Sequence, residues 1–266
     1  MTNNRPLILI TNDDGIEAEG LKKITDTLRK TGDIVVFAPD KPQSGMSCAI
    51  TTNRLLSYNL LAAEKGLTLY SCTGTPVDCV KLALNEALTA KPDLLVSGVN
   101  HGGNHALSIH YSGTMGAAFE GCVFDVPAFG ISLYNYSDGA DFKESCRIGK
   151  IVAQAVLANG LPKGTYLNVN VPDVRRVKGI RPARQTAGRW TREYIKDVNT
   201  EGETHYRLTG IYMVSGENYP DNDVKLLNEG YATVVPCKID VTDCEYLTKA
   251  KHCNTVSRFT LPSSHP

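Results

Sequence analysis

Short apolar runs alternate with amphipathic stretches from residue 7 to about residue 172, and this alternation constrains the fold more than any other feature. Leu7–Thr11 is short, branched and apolar, which is typical of a strand buried on both faces. Residues 16–30 then place leucine and isoleucine at spacings of three and four, which predicts a helix. Repetition of this unit predicts an α/β fold with a Rossmann-like, doubly wound and mostly parallel sheet.

Later stretches repeat the same unit. Thr75, Pro76 and Asp78 predict a helix N-terminus, because they supply a hydroxyl cap, a proline at the first helical position and an early acid. Further strands are predicted at 34–38, 94–96, 129–133 and 166–171, and further helices at 75–88, 114–123 and 142–157.

The character of the sequence changes after Pro172. Residues 173–230 are rich in Arg, Thr, Tyr and Glu, and they contain alternating segments such as Thr204–Leu208. We interpret this region as extended β-hairpins that project from the sheet, followed by a strand at 231–235 that returns to it. The predicted parts are an α/β core of residues 1–183 plus about 231–248, a C-terminal extended β-hairpin arm of residues 184–230, and a polar tail of residues 249–266.

Charge and composition argue against several classes of partner. The chain has 28 Lys and Arg against 28 Asp and Glu, so it has no net field that would steer it to nucleic acid or to an anionic membrane. No apolar run approaches the roughly 18 to 20 residues of a membrane-spanning helix, and the start does not resemble a secretory signal. The eight cysteines are scattered without a Cys-x-x-Cys pair. We therefore expect a cytoplasmic protein with free thiols, no nucleic-acid partner and no membrane partner.

Polar residues cluster where the predicted parallel strands end. Asp13 and Asp14 follow the first strand directly, Ser44 lies in the loop after the second strand, and Asn100 lies in the loop after 94–96. Since ligands of open parallel sheets bind beyond the carboxyl ends of the strands, these side chains should face one crevice. Their oxygen atoms suit a hard cation such as Mg²⁺ or Mn²⁺. An Asx turn that caps the next helix is the alternative for the aspartates, and a plain turn is the alternative for the serine.

A second candidate site lies at the start of the helix predicted at 114–123. Ser112, Gly113 and Thr114 combine small hydroxyl residues with a glycine, a pattern that suits an anion at a helix N-terminus, although a plain serine cap explains it equally well. Neither a Walker-type loop nor a dinucleotide fingerprint is present, which argues against an ATPase and a dehydrogenase. His110 could act as a general acid, but a simple hydrogen-bonding role is the preferred interpretation.

Six motifs in order closely resemble the SurE (survival protein E) family of nucleotidases. They are Asn12-Asp13-Asp14-Gly15, Gln43-Ser44-Gly45, Gly74-Thr75-Pro76-Val77-Asp78-Cys79-Val80, Ser97-Gly98-Val99-Asn100, Tyr111-Ser112-Gly113-Thr114 and Asn168-Val169-Asn170-Val171-Pro172. The resemblance implies metal-dependent hydrolysis of nucleoside 5′- and 3′-monophosphates, and in some members of short polyphosphate. It assigns the metal ligands to Asp13, Asp14, Ser44 and Asn100 and the phosphate contacts to Ser112, Gly113 and Thr114. It also implies homodimers or homotetramers with exchanged arms, here residues 184–230.

The hypothesis that follows places one Mg²⁺ or Mn²⁺ per subunit on this ligand set, with Asp13, Asp14 and Asn100 as the catalytic residues. A metal-activated water would attack the phosphate of a nucleoside monophosphate. One alternative is an aspartate nucleophile that forms an aspartyl-phosphate. Two others are a non-catalytic nucleotide-binding stress-response module that uses the same phosphate cradle, and a structural oligomer in which the arm matters most.

Overall fold

The architecture is a mostly parallel sheet between two layers of helices, seen in a computed structural model that describes residues 5–215 and 219–252. The strands are β1 Leu7–Thr11, β2 Asp33–Pro39, β3 Tyr58–Glu64, β4 Leu67–Cys72, β5 Leu94–His101, β6 Ala128–Tyr134, β7 Thr165–Pro172, β8 Ile180–Pro182, β9 Gly188–Thr191, β10 Tyr194–Val198, β11 Thr204–Leu208, β12 Ile211–Val214 and β13 Ala232–Lys238. The α-helices are α1 Glu19–Leu28, α2 Pro76–Leu82, α3 Gly113–Val123, α4 Lys143–Asn159, α5 Asp223–Asn228 and α6 Cys244–His252.

Nine strands of the described residues form one sheet in the order β3-β4-β2-β1-β5-β6-β7-β13-β8. The strands from β4 to β7 in this order are all parallel neighbours, whereas β3 pairs antiparallel with β4 and β13 pairs antiparallel with β7. The predicted α/β class with a doubly wound, mostly parallel sheet is therefore confirmed. Because β1 is central, its carboxyl end lies beside those of β2 and β5.

Successive residues of β1 enter opposite layers of the core, which explains why this strand is apolar throughout. Ile8 and Ile10 are fully buried with apolar residues of α1 and α4, whereas Leu9 is fully buried with residues of α2 and α3. Helix α2 begins as its sequence predicts: the Thr75 hydroxyl accepts from the N–H of Asp78, and the Asp78 carboxylate accepts from the N–H of Thr75.

Several elements differ from the sequence-based predictions. Strands β3 and β4 were not predicted. Strand β3 is exposed along its whole length and carries an irregularity between Leu60 and Ala62, so it has no buried apolar pattern, and β4 is only partly buried over its first four residues. Strand β5 continues past the predicted end at 96 to His101. Helix α2 continues as a π-helical turn, Ala83–Ala87, and a 3₁₀ segment, Ala106–Tyr111, precedes α3.

The region after Pro172 contains the predicted hairpins and three elements that were not predicted, namely β8, α5 and α6. Strand β10 pairs antiparallel with β11, β12 pairs antiparallel with β9, and β13 is the returning strand. Helix α5 was missed because it is only six residues long. Helix α6 extends into the beginning of the predicted tail, and residues 253–266 of that tail lie outside the described residues. The division into core, arm and tail stays a prediction.

The cysteines among the described residues are all free thiols. Within the described part of the chain, no helix combines the length and the apolar character needed to cross a membrane.

Candidate active site

A cavity of about 800 Å³ opens at the carboxyl ends of the central strands. Its volume lies within the range of about 300 to 1,000 Å³ that is typical of small-molecule sites. The loops after β1, β2 and β5, the beginning of α3 and two turns of the arm form its wall. The predicted residues that line it are Asp13, Asp14, Ser44, Asn100 and Ser112. All four predicted metal ligands thus reach one cavity, as the strand-end argument requires.

Asp13 lies against the N-terminus of α3 and is almost completely buried, with 4% of its surface exposed. The hydroxyl of Thr114 donates a hydrogen bond of 2.5 Å to Oδ1 of Asp13. A Cβ atom on Gly113 would lie only 2.9 Å from Cβ of Asp13, so the glycine allows this close approach. The carboxylate of Asp13 therefore occupies part of the anion-binding position at this helix N-terminus.

Burial raises the pKa of Asp13 from 3.8 to about 6, the hydrogen bond from Thr114 opposes this rise, and the charge of Asp14 adds to it. Burial also raises the pKa of Asp14, and the backbone N–H of His101 opposes that rise by donating to Oδ2 of Asp14 at 3.0 Å. Both carboxylates are thus held by donors from other elements, and both lack the solvation that would stabilise their charge.

Ser44, in the loop after β2, and Asn100, near the carboxyl end of β5, complete the predicted ligand set. The N–H of Gln43 donates to the backbone carbonyl of Asp13 at 2.7 Å, which ties the loop that carries Ser44 to the end of β1. The amide Nδ2 of Asn100 donates to the carbonyl of Gly102 at 2.7 Å. Because the amide is planar, this contact directs its Oδ1 to the opposite side, where it can act as a ligand.

The three predicted phosphate-binding residues differ in whether they line the cavity. The Ser112 hydroxyl caps α3 by accepting from the N–H of Met115 at 3.1 Å, and Ser112 lines the cavity. Thr114 is fully buried, and its hydroxyl is engaged with Asp13. Gly113 packs against Asp13 and Pro76. Of the three residues, only Ser112 lines the cavity, whereas Gly113 and Thr114 contact Asp13.

The charges around the cavity are mostly negative. Asp13, Asp14 and Glu193 line it, whereas no Lys or Arg does so among the residues that the structure describes. Within 5–215 and 219–252 there is also no cluster of three His, Cys, Asp or Glu side chains suited to a metal. The available donors are two carboxylates and the neutral oxygens of Ser44 and Asn100, a set that fits a hard divalent cation rather than zinc.

The comparisons with known proteins agree with this geometry. The family model described as Survival protein SurE matches residues 8–192, which is well over half of the chain. The chain belongs to the SurE family. A protein named 5′-nucleotidase SurE from Bacteroides fragilis is 43% identical over 251 residues, covering 94% of this chain and 98% of the relative. One from Flavobacterium psychrophilum is 46% identical over 242 residues, covering 90% of this chain and 94% of the relative.

A solved structure supports the same assignment. The crystal structure of the SurE protein from Aquifex aeolicus matches with a TM-score of 0.78 and 30% sequence identity, covering 93% of this chain and 99% of that one. The resemblance to the SurE family that the six motifs indicate is therefore confirmed, and it extends to the fold.

His110 does not line the cavity of this SurE chain. Its side chain is exposed, and its Nε2 lies 3.4 Å from Nε2 of Gln185, at a second cavity of about 720 Å³. His101 lines the first cavity instead, as does Tyr136. A Cβ atom on Gly102 would lie 2.7 Å from Cε1 of Tyr136, so the glycine pair at 102–103 was a signal for a packed ring, although it did not identify which ring.

Sequence reasoning also missed three residues of the arm. Trp190, Glu193 and Tyr194 line the cavity of the SurE chain, together with the turn at 208–210. The arm was predicted from the sequence for assembly alone, and no local signal connects these residues with Asp13, because the contact depends on how a distant segment folds back over the strand ends.

Proposed function

We propose that this chain is a divalent-metal-dependent phosphomonoesterase that releases inorganic phosphate from nucleoside 5′-monophosphates. The activity extends in this proposal to 3′-monophosphates and short-chain polyphosphate. Support comes from the relatives at 43–46% identity over most of the chain, which carry the name 5′-nucleotidase SurE. On this basis the chain is an enzyme, a phosphoric monoester hydrolase, and its substrate is a nucleoside monophosphate.

The observation that carries the metal dependence is the charge of the cavity. Asp13 and Asp14 would repel a phosphate dianion, and no Lys or Arg among the described lining residues offsets them. A cation bound by both carboxylates removes this conflict, because it neutralises the aspartates and attracts the phosphate. The oxygen-only donor set favours one Mg²⁺ or Mn²⁺ per subunit, held by Asp13, Asp14, Ser44 and Asn100.

Such a cation supplies Lewis-acid stabilisation of the phosphate charge and lowers the pKa of water near it. The protein supplies the positioning. Thr114 and the N-terminus of α3 hold the Asp13 carboxylate, and the His101 N–H holds that of Asp14. Ser112 lines the cavity, and its hydroxyl, which accepts from the N–H of Met115, still has its own proton to donate to a phosphate oxygen. In this proposal the two carboxylates, through the cation that they hold, and the Ser112 hydroxyl orient the phosphate for in-line attack by water.

The arm supports a proposal about assembly. Large apolar side chains of the arm are strongly exposed, including Ile195 at 56%, Leu208 at 69% and Met213 at 55%. Exposed apolar surface of this extent is typical of a subunit interface. We therefore propose a homodimer or homotetramer with exchanged C-terminal arms, located in the cytoplasm.

The decisive experiment measures phosphate release from a panel of nucleoside 5′- and 3′-monophosphates and short polyphosphate, with Mg²⁺, Mn²⁺ or EDTA. It compares the wild type with Asp14→Asn and with Asp26→Asn, a matched control in which the aspartate is exposed on α1. We expect metal-dependent release in the wild type and the control, and at least a hundredfold loss in Asp14→Asn. Nucleotide binding without release under any metal would instead favour the non-catalytic module, and full activity of Asp14→Asn would refute the ligand assignment.

A further inference from the structure

Two aromatic residues of the arm line the cavity that contains the carboxylates. Trp190 lies in β9, and Tyr194 is the first residue of β10. Both line the same cavity as Asp13 and Asp14, together with the turn 208–210. A single cavity thus combines carboxylates from the strand termini with aromatic side chains from the arm.

The ring of Trp190 is held in place by its surroundings. A Cβ atom on Gly210 would lie 2.9 Å from Cε3 of Trp190, so the absence of a side chain at Gly210 leaves room for the indole. Tyr212 packs edge-on against the same indole, with ring centroids 5.4 Å apart. The ring is therefore preorganised, and little conformational entropy is lost when a ligand packs on it.

Backbone contacts fix the beginning of β10, where Tyr194 lies. The N–H of Thr209 donates to the carbonyl of Glu193 at 2.8 Å, and residue Tyr194 pairs with Leu208 in the hairpin. The side chain of Tyr194 itself is 66% exposed. Such an exposed aromatic face beside a polar cavity has no structural role in the core of the protein, but it can stack on a flat ring.

We propose that Trp190 and Tyr194 form the nucleobase subsite of this cavity and determine its preference for nucleotides over base-free phosphate esters. The inference rests on the proposed function, since it assumes that the phosphate is bound at Asp13 and Asp14. Stacking on an aromatic ring is favourable for every base, because every base has a π-face, and it is strongest for the larger purines. Among the described residues that line the cavity there is no Lys or Arg, so no cationic side chain competes with the two aromatic rings for contact with the base.

The first test compares two tyrosines that share a hairpin and an exposed fraction but differ in whether they line the cavity. Tyr194 and Tyr206 belong to the same hairpin and are each 66% exposed, but only Tyr194 lines the cavity. The measured quantity is kcat/KM for AMP divided by kcat/KM for ribose 5-phosphate, which lacks the base. We expect Tyr194→Ala to lower this ratio about tenfold, mainly through KM for AMP, while Tyr206→Ala leaves it unchanged. Equal effects of the two variants, or no effect of Tyr194→Ala, would overturn the proposal.

Variants of Trp190 test the second residue. Trp190→Leu keeps an apolar side chain against Tyr212 but removes the aromatic face, and Trp190→Phe retains a smaller face. We expect the AMP to ribose 5-phosphate ratio to fall about tenfold in Trp190→Leu and to recover most of that loss in Trp190→Phe. Equal ratios in the two variants would count against stacking at this position.

A binding measurement separates this proposal from the proposed function. Trp190 is the single tryptophan of the chain, so intrinsic tryptophan fluorescence reports on this position alone. The titrants, added with Mg²⁺, are the AMP phosphonate in which CH₂ replaces the ester oxygen, inorganic phosphate, and ribose 5-phosphate. We expect a saturable change with the phosphonate only. An unchanged emission at concentrations that inhibit AMP hydrolysis would refute the subsite, whereas a response without hydrolysis of any phosphate ester would refute only the proposed function.

Discussion

The hydroxyl of Thr114 donates a 2.5 Å hydrogen bond to Oδ1 of Asp13, and this contact joins residues that are 101 positions apart in the chain. It links the end of the central strand to the beginning of α3, and it aims a buried carboxylate at the cavity. The catalytic arrangement that we propose thus depends on the packing of α3 against the end of β1. The loop that contains the aspartates does not fix it alone.

Loss of the Thr114 hydroxyl should therefore impair catalysis. Thr114→Val keeps the shape of the side chain but removes the donor to Asp13. Hydrogen bonds to charged groups contribute about 1.5–3 kcal/mol, so we expect kcat/KM for AMP to fall about 10- to 100-fold and metal affinity to weaken. Thr114→Ser, which retains the hydroxyl, is the control and should keep most of the activity. Equal activity in the two variants would show that the hydrogen bond is dispensable.

Gly113 offers a steric test of the same contact. Alanine normally favours a helix over glycine, but a Cβ atom here would lie 2.9 Å from Cβ of Asp13 and 3.2 Å from Cγ of Pro76. We expect Gly113→Ala to displace the Asp13 carboxylate and to lower kcat/KM at least tenfold. In the control Gly179→Ala, the nearest atom to the new Cβ is 3.8 Å away, so activity should stay within about twofold of the wild type. Retained activity in Gly113→Ala would contradict a rigid Asp13 position.

The convergence of the four predicted metal ligands on one cavity could be expected from the sequence because the physical rule behind it is local, and their role as ligands stays a prediction. Asp13 and Asp14 follow a strand that is recognisable from its own residues. Ser44 follows β2, and Asn100 lies near the carboxyl end of β5, at the same edge of the sheet. The central strands were predictable for a similar reason, since burial on both faces leaves a continuous apolar run.

The parts that could not be predicted depend on contacts between distant residues. Trp190 and Tyr194 lie in exposed hairpins whose sequence indicates strands but does not indicate where the hairpins pack. The hydrogen bond from Thr114 to Asp13 could not be predicted, because it joins residues 101 positions apart in the chain, and the phosphate contact of Thr114 stays a prediction. Strand β3 was missed because an exposed edge strand needs no apolar pattern.

Asp13 should destabilise the metal-free protein at neutral pH. Its pKa is raised from 3.8 to about 6 in the folded state, so the folded state binds the proton more tightly than the unfolded chain does. Stability therefore falls as the pH rises from about 4 through 6, and the full cost is on the order of 3 kcal/mol. In EDTA at pH 8, Asp13→Asn should unfold at a higher denaturant concentration than the wild type, and at pH 4 this difference should vanish. A destabilised Asp13→Asn at pH 8 would contradict the raised pKa.

Metal binding should reverse this destabilisation, and stability measurements can detect it without any assay of activity. A cation that binds only the folded state at a hundredfold excess over its Kd stabilises it by about 2.7 kcal/mol, which corresponds to roughly 5 to 10 °C in Tm for a chain of this size. We expect Mg²⁺ or Mn²⁺ to raise the Tm of the wild type and of the Asp26→Asn control by this amount, and EDTA to abolish the rise. In Asp14→Asn the rise should be nearly lost, because the cation loses one of its two carboxylate ligands in the cavity. An equal rise in Asp14→Asn would place the cation elsewhere, and no rise in the wild type would leave the negative charge of the cavity uncompensated and argue against the proposed metal.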